Sequence, residues 1–201
     1  TDHGSWLRAW LADGIAKGAI APFLHGTPRH VSRVNVVPKS SSTPRLFKGR
    51  GIINLRPLNA HVCQRIFKYE MLSEFRNAIE PGDWFFAFDL EAGYYHVEVQ
   101  PDHRTFLGFQ LFGAYYIFCV LPFGLSDACY VFTKVCLVPV RALRQRGFRM
   151  LAYVDDFLGA LRVPDHARVT EARSVFEHLG FLINEARVIR PAWNAPSLSR
   201  L

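Results

Sequence analysis

The sequence predicts an α+β fold in which an antiparallel sheet is backed by helices. Segments with strand-like alternation and segments with helical spacing follow one another along the chain, without a strict βαβ repeat. Half of the 201 residues are hydrophobic and a fifth are charged. The chain therefore has enough apolar material for one large domain, or for a core with a small subdomain.

Each element is predicted from its local pattern. Alternation indicates a strand, apolar residues three and four apart indicate a helix, and Gly or Pro marks an end. Asp165 is the expected N-cap of the last helix and Gly180 its C-cap. In chain order we predict a helix in 5–20, strands in 33–38 and from 52 onward with a basic loop in 40–51 between them, a helix in 69–80, strands in 84–89 and 96–100, two strands around Gly113, a helix in 126–146, a hairpin in 148–163, a helix in 165–180 and a strand in 181–189.

Charge and cysteine usage narrow the class of protein. The formal net charge of +7 fits a phosphate-rich partner such as nucleic acid. No signal peptide and no run of about 18 apolar residues is apparent, so we expect an intracellular protein of the cytoplasm or nucleus that does not span a membrane. The cysteines form no CxxC pair and are expected to fill the core in a reducing compartment; they are Cys63, Cys119, Cys129 and Cys136.

Three aspartates stand at the ends of apolar, strand-like runs. Asp89 closes WFFAFD, and Asp155 and Asp156 lie at the tip of MLAYVDD. If the two runs are neighbours in one sheet, three carboxylates converge at one edge, where cations would relieve their repulsion. Such oxygen ligands suit Mg²⁺ or Mn²⁺, and a pair of these ions supports in-line phosphoryl transfer. The structural alternatives are a solvated hairpin turn for Asp155 and Asp156, and a helix N-cap for Asp89.

Five motifs in collinear order make the chain resemble a reverse transcriptase, specifically the fingers and palm of a retroelement polymerase. The resemblance covers roughly residues 31–190, and the residues of its motifs look most like those of the gypsy and DIRS-like groups. The motifs are RGIINLRPLN in the fingers strand, FAFDLEAGYYHVEV and VLPFGLSDACYVFTKV as the first and second palm motifs, LAYVDDFLGA as the YxDD box, and HLGFLIN after that box.

The resemblance implies a polymerase palm, with an antiparallel sheet backed by helices, and a fingers subdomain. Because the chain ends at SLSRL, before the primer-grip segment expected next, we expect the thumb to be missing and the chain to belong to a longer polyprotein with RNase H. The implied segments are an N-terminal helical lead-in in 1–30, fingers in 31–80, palm with the first aspartate motif in 81–122, a fingers/palm helix in 123–148, and palm with the YVDD hairpin and the following helix and strand in 149–201.

The same resemblance implies a catalytic and metal-binding set. Asp89 and Asp155 would be the principal ligands of two Mg²⁺ ions, or of Mn²⁺, with one further oxygen from the Leu90 carbonyl. Asp156 would complete the acidic cluster, contributing charge more than a direct bond to metal.

A second implied set binds the nucleotide. Tyr94 falls where the family keeps an aromatic residue under the sugar of the incoming nucleotide, so its ring would exclude a 2′-OH and select dNTP over rNTP. A core tyrosine is the alternative for Tyr94. Phe123 and Gly124 match the stretch that lines the nucleotide pocket and touches the template.

Basic residues complete the nucleotide-binding set, and two positions depart from the family. Arg50 matches the residue that grips the triphosphate, and Lys48 is a second clamp for which Arg45 is the alternative. Asn54 stands where relatives often have Asp. Arg187 stands where relatives usually have a lysine that is a proposed general acid for pyrophosphate. Because a guanidinium does not readily release its proton, either Arg187 acts only electrostatically or another group handles this step.

The function implied is an RNA-directed DNA polymerase that adds dNTPs to the primer 3′-OH on an RNA or DNA template. A catalytically inactive nucleic-acid-binding remnant of such an element is the main alternative. An RNA-synthesising viral polymerase is a third, but Val154 and Tyr94 occupy positions where those enzymes usually have Gly and a small polar residue. The oligomeric state is not indicated by any pattern in the sequence.

Overall fold

The computed structural model describes residues 3–38 and 49–184, together with the backbone of 187–189. In chain order the elements are α1 (His3–Ala16), β1 (Ile20–Pro22), β2 (Val31–Pro38), β3 (Gly49–Asn54), α2 (Arg56–Asn59), α3 (Leu72–Arg76), β4 (Trp84–Asp89), a 3₁₀ turn (Gly93–His96), α4 (Pro101–Arg104), β5 (Gly108–Leu111), β6 (Ala114–Phe118), α5 (Ala128–Gln145), β7 (Arg149–Tyr153), β8 (Asp156–Leu161), α6 (His166–His178) and β9 (Arg187–Ile189).

The chain divides into two compact units. Unit 1 comprises Thr1–Arg65 with Tyr94–Cys129, and unit 2 comprises Ile66–Gly93 with Tyr130–Leu201. Each unit is therefore built from two separate stretches of sequence. The five-segment division into lead-in, fingers and palm stays a prediction. Among the described residues, no helix has both the length and the apolar character needed to cross a bilayer.

Unit 1 is built on a five-stranded sheet with the order β1-β6-β5-β2-β3. All neighbours are antiparallel except β2 and β5, which pair in parallel. Helix α1 packs on this sheet through Trp10, whose ring lies 5.9 Å from that of Phe109 and 6.3 Å from that of Phe118. The buried cluster comprises Leu11, Ile20, Ile53, Leu55, Leu107, Phe109 and Phe118.

Unit 2 is built on a four-stranded antiparallel sheet with the order β7-β8-β4-β9. Phe88 on β4, Phe157 on β8 and Phe176 on α6 pack ring against ring, with centroids 4.6 to 5.3 Å apart. These three side chains are buried, and burying each one contributes about 1.5–3 kcal/mol. The aromatic run WFFAFD thus supplies both an inner strand of this sheet and its core contacts. Helices and mainly antiparallel sheets occur together in the structure, so the predicted α+β class is confirmed.

The predicted ends of the last helix are confirmed to within one residue. The Asp165 carboxylate accepts a hydrogen bond of 3.1 Å from the Arg168 amide, as an N-cap does. Leu179 is the C-cap, and Gly180 follows it with a φ of 85°. The Phe181 amide then donates to the Phe176 carbonyl at 3.1 Å, which closes the helix and sends the chain back toward β4.

The predicted strand over 96–100 is wrong. His96 ends the 3₁₀ turn, and Pro101 begins α4, so only the four residues between them are free to pair. They form one isolated bridge, between Glu98 and Val120, with hydrogen bonds of 2.8 and 2.9 Å on either side of it. The alternating segment HVEVQ is therefore extended at one isolated bridge and does not form a strand within a sheet.

Three other predicted elements have different bounds. The strand predicted from residue 52 runs over Gly49–Asn54, because Pro57 favours the first turn of α2. The helix predicted in 69–80 is limited to Leu72–Arg76. In the described part of the final predicted strand, residues 181–184 and 187–189, Ile183 makes one bridge to Leu90 and Arg187–Ile189 is a strand.

The cysteine prediction is partly wrong. Cys119 and Cys136 are buried and Cys129 is half-buried, whereas Cys63 is exposed. All four thiols are free, in keeping with the absence of a CxxC pair. Cys63 lies in the irregular stretch after α2, where no element covers it.

Candidate active site

Backbone pairing brings the three predicted aspartates together. Asp89 is the last residue of β4 and Asp156 the first of β8, and they are direct partners in the antiparallel register. Asp155 lies in the turn between β7 and β8, where its carbonyl accepts a 3.1 Å hydrogen bond from the Leu90 amide. We call Asp89, Leu90, Asp155 and Asp156 the acidic corner. The two runs are neighbouring strands of one sheet, which is the condition that the sequence prediction required, and the three aspartates lie at the same end of that sheet.

The turn that carries Asp155 is tight and strained. Tyr153 and Asp156 are the last paired residues of the hairpin, so only Val154 and Asp155 connect the strands. Val154 has a φ of 56°, a conformation that β-branched residues rarely adopt. Such strain persists only where the surrounding structure enforces it, and it occurs often at functional sites.

The negative charges of the corner act on one another and on a neighbouring thiol. Partial burial of the carboxyl group, and then the negative charges of Asp155 and Asp89, raise the pKa of Asp156 above its usual range. On the adjacent helix α5, burial and then the charge of Asp155 raise the pKa of the Cys136 thiol to about 12. Burial is the larger cause of both shifts, and the smaller contribution from the aspartate charges is the part that a nearby positive charge would offset.

The donors of the corner suit a hard cation in kind, because carboxylate and carbonyl oxygens are what Mg²⁺ and Mn²⁺ prefer. Their placement is looser: in the described part of the chain, no three His, Cys, Asp or Glu side chains are grouped closely enough to hold a metal ion. The corner therefore supplies the charge and chemistry of a metal site without a closed set of ligands.

Asn184 is a residue at the corner that sequence reasoning missed. Its side-chain amide donates to Asp89 Oδ2 at 2.8 Å, and its backbone amide donates to the Asp89 carbonyl at 2.9 Å. Asn184 is the last residue of HLGFLIN, a motif quoted for the resemblance, so the signal was its place in that motif.

Gly93 packs closely against Asp155 of the corner, and this packing leaves no room for a side chain at position 93. A Cβ atom at Gly93 would lie 3.2 Å from Asp155 Cβ and 3.2 Å from Phe132 Cζ, tighter than nearly all real contacts. The preceding residue, Ala92, has a φ of 55°. A larger residue at Gly93 would push against the turn that holds Asp155.

Glu70 and Arg144 fix the strand that leads into the turn. The Arg144 guanidinium donates to both Glu70 oxygens, at 2.8 and 2.6 Å, and also to the Met150 carbonyl on β7. The Ala152 amide on the same strand donates to Glu70 at 2.9 Å. Burial alone would raise the pKa of Glu70, but hydrogen bonds from Arg144 and Ala152, with the charges of Arg144 and Arg141, lower it overall.

The predicted nucleotide-side residues of unit 1 also meet one another. The Tyr94 ring lies 4.9 Å from the Phe123 ring, and its hydroxyl is 2.8 Å from Cys129 Sγ. Tyr94 is only 8% exposed and Phe123 is 52% exposed. We call Tyr94, Phe123 and Cys129 the ring pocket. Tyr94 is buried, as the alternative of a core tyrosine requires, and it stands beside the predicted pocket-lining residue.

Asn59 holds the loop that carries Gly124. Its side-chain NH₂ donates to the Gly124 carbonyl at 2.8 Å, and its Oδ1 accepts from the Ser126 amide at 2.9 Å. Gly124 has a φ of 95°, which favours glycine. Asn59 therefore fixes both ends of a three-residue stretch, a role that its place in IINLRPLN did not reveal.

Of the residues predicted to bind the triphosphate, the structure describes only Arg50. Arg50 is exposed on β3, opposite Val37 in the register. Lys48 and its alternative Arg45 lie outside the described residues, as does the side chain of Arg187. Asn54 accepts a 3.2 Å hydrogen bond from the Arg56 amide at the start of α2, a local structural role.

The sequence matches one family model and is similar to two polyproteins. The family model of the "Reverse transcriptase (RNA-dependent DNA polymerase)" matches residues 37–185. The retrovirus-related Pol polyprotein from transposon gypsy of Drosophila melanogaster is 28% identical over 152 residues, which are 76% of this chain and 14% of that protein. The genome polyprotein of Petunia vein clearing virus is 25% identical over 144 residues, which are 71% of this chain and 6% of that polyprotein.

Solved structures share the fold. The protease-reverse transcriptase of prototype foamy virus superposes with a TM-score of 0.73 at 16% identity, covering 93% of this chain and 24% of that one. A foamy viral protease-reverse transcriptase in complex with ds DNA gives a TM-score of 0.74 at 15% identity, covering 94% of this chain and 32% of that one. The chain spans less than a fifth of the length of either polyprotein above, and about a quarter to a third of these solved chains.

Proposed function

This chain belongs to the reverse transcriptase (RNA-dependent DNA polymerase) family, and from that premise we propose that it adds deoxynucleotides to the 3′-OH of a primer on an RNA or DNA template. The gypsy-like character inferred from the motifs agrees with the gypsy Pol polyprotein match. The observation that carries the proposal is the acidic corner, in which Asp89 and Asp156 are register partners and Asp155 lies in the adjoining turn.

The corner's own residues would concentrate negative charge where the triphosphate and the primer end meet. Asp89 and Asp155, with the Leu90 carbonyl and the charge of Asp156, would hold two Mg²⁺ or Mn²⁺ ions. Such ions, when bound, lower the pKa of the attacking hydroxyl and stabilise the leaving pyrophosphate. After burial, the negative charges of Asp155 and Asp89 contribute to the raised pKa of Asp156, and a bound cation would relieve that repulsive part.

The ring pocket would act on the sugar. In this proposal the Tyr94 ring excludes a 2′-OH, and Phe123 with Gly124 lines the nucleotide pocket. Arg50 would grip the triphosphate by bidentate contact, with Lys48 as a second clamp. Support for the gate comes from the fixed placement of Tyr94, which is buried and touches both Phe123 and Cys129.

The partners are proposed on the same basis. A primer–template and dNTPs are the substrates of the activity, and the net charge of +7 fits a nucleic-acid partner held through its phosphates. The relatives that match are polyproteins, so we propose that this domain functions within a longer polyprotein that includes RNase H. A location in the cytoplasm or nucleus stays a prediction.

Primer extension tests the proposal. The wild-type chain is incubated with an RNA template, a DNA primer, dNTPs and Mg²⁺, beside Asp155→Asn and, as a matched control, Asp102→Asn at an exposed position on α4. We expect extension by the wild type and by the control but none by Asp155→Asn. Full extension by Asp155→Asn would refute the role of that carboxylate.

The second candidate function is a nucleic-acid-binding remnant without turnover. It is favoured by one observation, that the described carboxylates are not grouped closely enough to hold an ion. Absence of extension by the wild type, with salt-sensitive binding of the primer–template retained, would select this candidate.

A further inference from the structure

Asn184 makes two different hydrogen bonds to Asp89. The backbone amide binds the Asp89 carbonyl at 2.9 Å, and the side-chain amide binds Asp89 Oδ2 at 2.8 Å. The first bond continues the pairing of this segment with β4, since Ile183 bridges Leu90 and the Glu91 amide donates to the Leu182 carbonyl at 2.9 Å. The second bond is separate from that pairing and acts only on the carboxylate.

The position of Asn184 is itself well determined. Phe181 is buried against Phe176 with ring centroids 5.6 Å apart, and its amide closes the end of α6. Only two residues separate Phe181 from Asn184, so the anchored helix end and the bridge at Ile183 leave the asparagine little freedom. A donor fixed in this way can set the orientation of the group it binds.

The chemistry of an asparagine amide suits this place. It donates a hydrogen bond but carries no charge, so it holds one carboxylate oxygen without neutralising the corner. The bond from Asn184 goes to Asp89 Oδ2, so the oxygen that the inference assigns to a cation is the other one, Asp89 Oδ1. An arginine or lysine here would instead compete with a cation for the whole carboxylate.

We propose that Asn184 is a positioning residue, which orients the Asp89 carboxylate so that one oxygen is held by the protein and the other is presented to a divalent cation. The inference rests on the proposed function, because it takes Asp89 to be a cation ligand. It adds a residue that acts through Asp89 and touches neither substrate nor cation. Loss of such a supporting contact typically weakens metal affinity by about 10- to 100-fold.

The test uses two variants that remove the side-chain donor and keep the backbone amide. Asn184→Ala deletes the amide, and Asn184→Leu replaces it with an apolar group of similar size, so that the space stays filled. Asn77→Ala, at an exposed asparagine after α3, is the matched control. Mn²⁺ binding in the presence of primer–template is followed by the EPR signal of the free ion, and the Mg²⁺ concentration for half-maximal extension is measured in parallel.

We expect both Asn184 variants to bind Mn²⁺ about 10- to 100-fold more weakly and to need correspondingly more Mg²⁺. Thermal midpoint and primer–template affinity should match those of Asn77→Ala, since a purely structural role would alter the thermal midpoint instead. Mn²⁺ binding by a folded Asn184 variant equal to the wild type would overturn the inference, as would the absence of Mn²⁺ binding by the wild type. Failure of the proposed function is distinguishable, because it appears as no extension by a wild type that still binds Mn²⁺.

Discussion

The acidic corner of unit 2 and the ring pocket of unit 1 are positioned by different forces. Asp89, Asp155 and Asp156 take their places from strand register and a two-residue turn, that is, from backbone hydrogen bonds. Tyr94 is placed by side chains, through the Phe123 ring and the Cys129 thiol. A side-chain substitution in the corner should therefore change the charge and leave the backbone positions intact. A substitution in the ring pocket should instead shift the position of the Tyr94 ring, by an amount that depends on which contact is lost.

The largest expected effect is from removing one charge in the corner. Asp89→Asn preserves shape and, through the backbone, the pairing with Asp156, but it deletes a carboxylate charge. We expect primer extension to fall by at least about 10³-fold, since several kcal/mol of transition-state stabilisation are lost. Primer–template affinity should be retained. A variant that keeps more than a tenth of the activity would show that charge at Asp89 is dispensable.

A smaller effect is expected from the ring pocket. Tyr94→Ala removes the ring, and we expect discrimination between dNTP and rNTP to fall by about 10- to 200-fold, the range for a steric contact in a pocket. Tyr94→Phe retains the ring and should discriminate as the wild type does. The measurement is the ratio of kcat/KM for the two nucleotides. Unchanged selectivity in Tyr94→Ala would favour the core-tyrosine alternative.

The support of the corner by Glu70 should depend on pH. The lowered pKa of Glu70 means that its stabilisation is complete above the ordinary value of 4.5 and is lost as the pH falls through the folded-state pKa. Glu70→Gln should therefore lower the free energy of unfolding by about 1–2 kcal/mol at pH 7, because charged hydrogen bonds to Arg144 are lost, and by less in acid. Urea unfolding at pH 7 and pH 3 measures this.

A control for that experiment is Glu177→Gln, which breaks an exposed pair with Arg173 one helical turn away. Such pairs contribute about 0.2–0.5 kcal/mol, so this variant should differ little from the wild type at either pH. A constant loss of stability in Glu70→Gln across both pH values would contradict the linkage to its carboxylate.

The smallest effect should come from Cys129. Sulfur is a weak hydrogen-bonding partner, so Cys129→Ala should change sugar discrimination by less than about threefold if packing on Phe123 places the Tyr94 ring. Cys129→Ser, which restores a hydroxyl partner, should be indistinguishable from the wild type. A loss in Cys129→Ala as large as in Tyr94→Ala would mean that the hydrogen bond and not the ring contact positions Tyr94.

Several features could be predicted because they depend on local sequence. The aromatic run of β4, the YVDD hairpin and the cap at Asp165 follow from alternation, turn residues and a hydrogen bond within three residues. The same reasoning failed over 96–100, where alternation without a neighbouring ladder produced a single bridge. It also failed for Cys63, because burial depends on what other elements cover a residue.

The sequence by itself determined most of the elements and the acidic residue types, since periodicity and turn chemistry act over a few neighbours. Only the tertiary structure decided that Asp89 and Asp156 are register partners, that Asn184 holds Asp89 across 95 residues of chain, and that Tyr94 lies against Phe123. Such contacts depend on which strands pair and in which register, and that choice is made by burial of the whole core rather than by any local pattern.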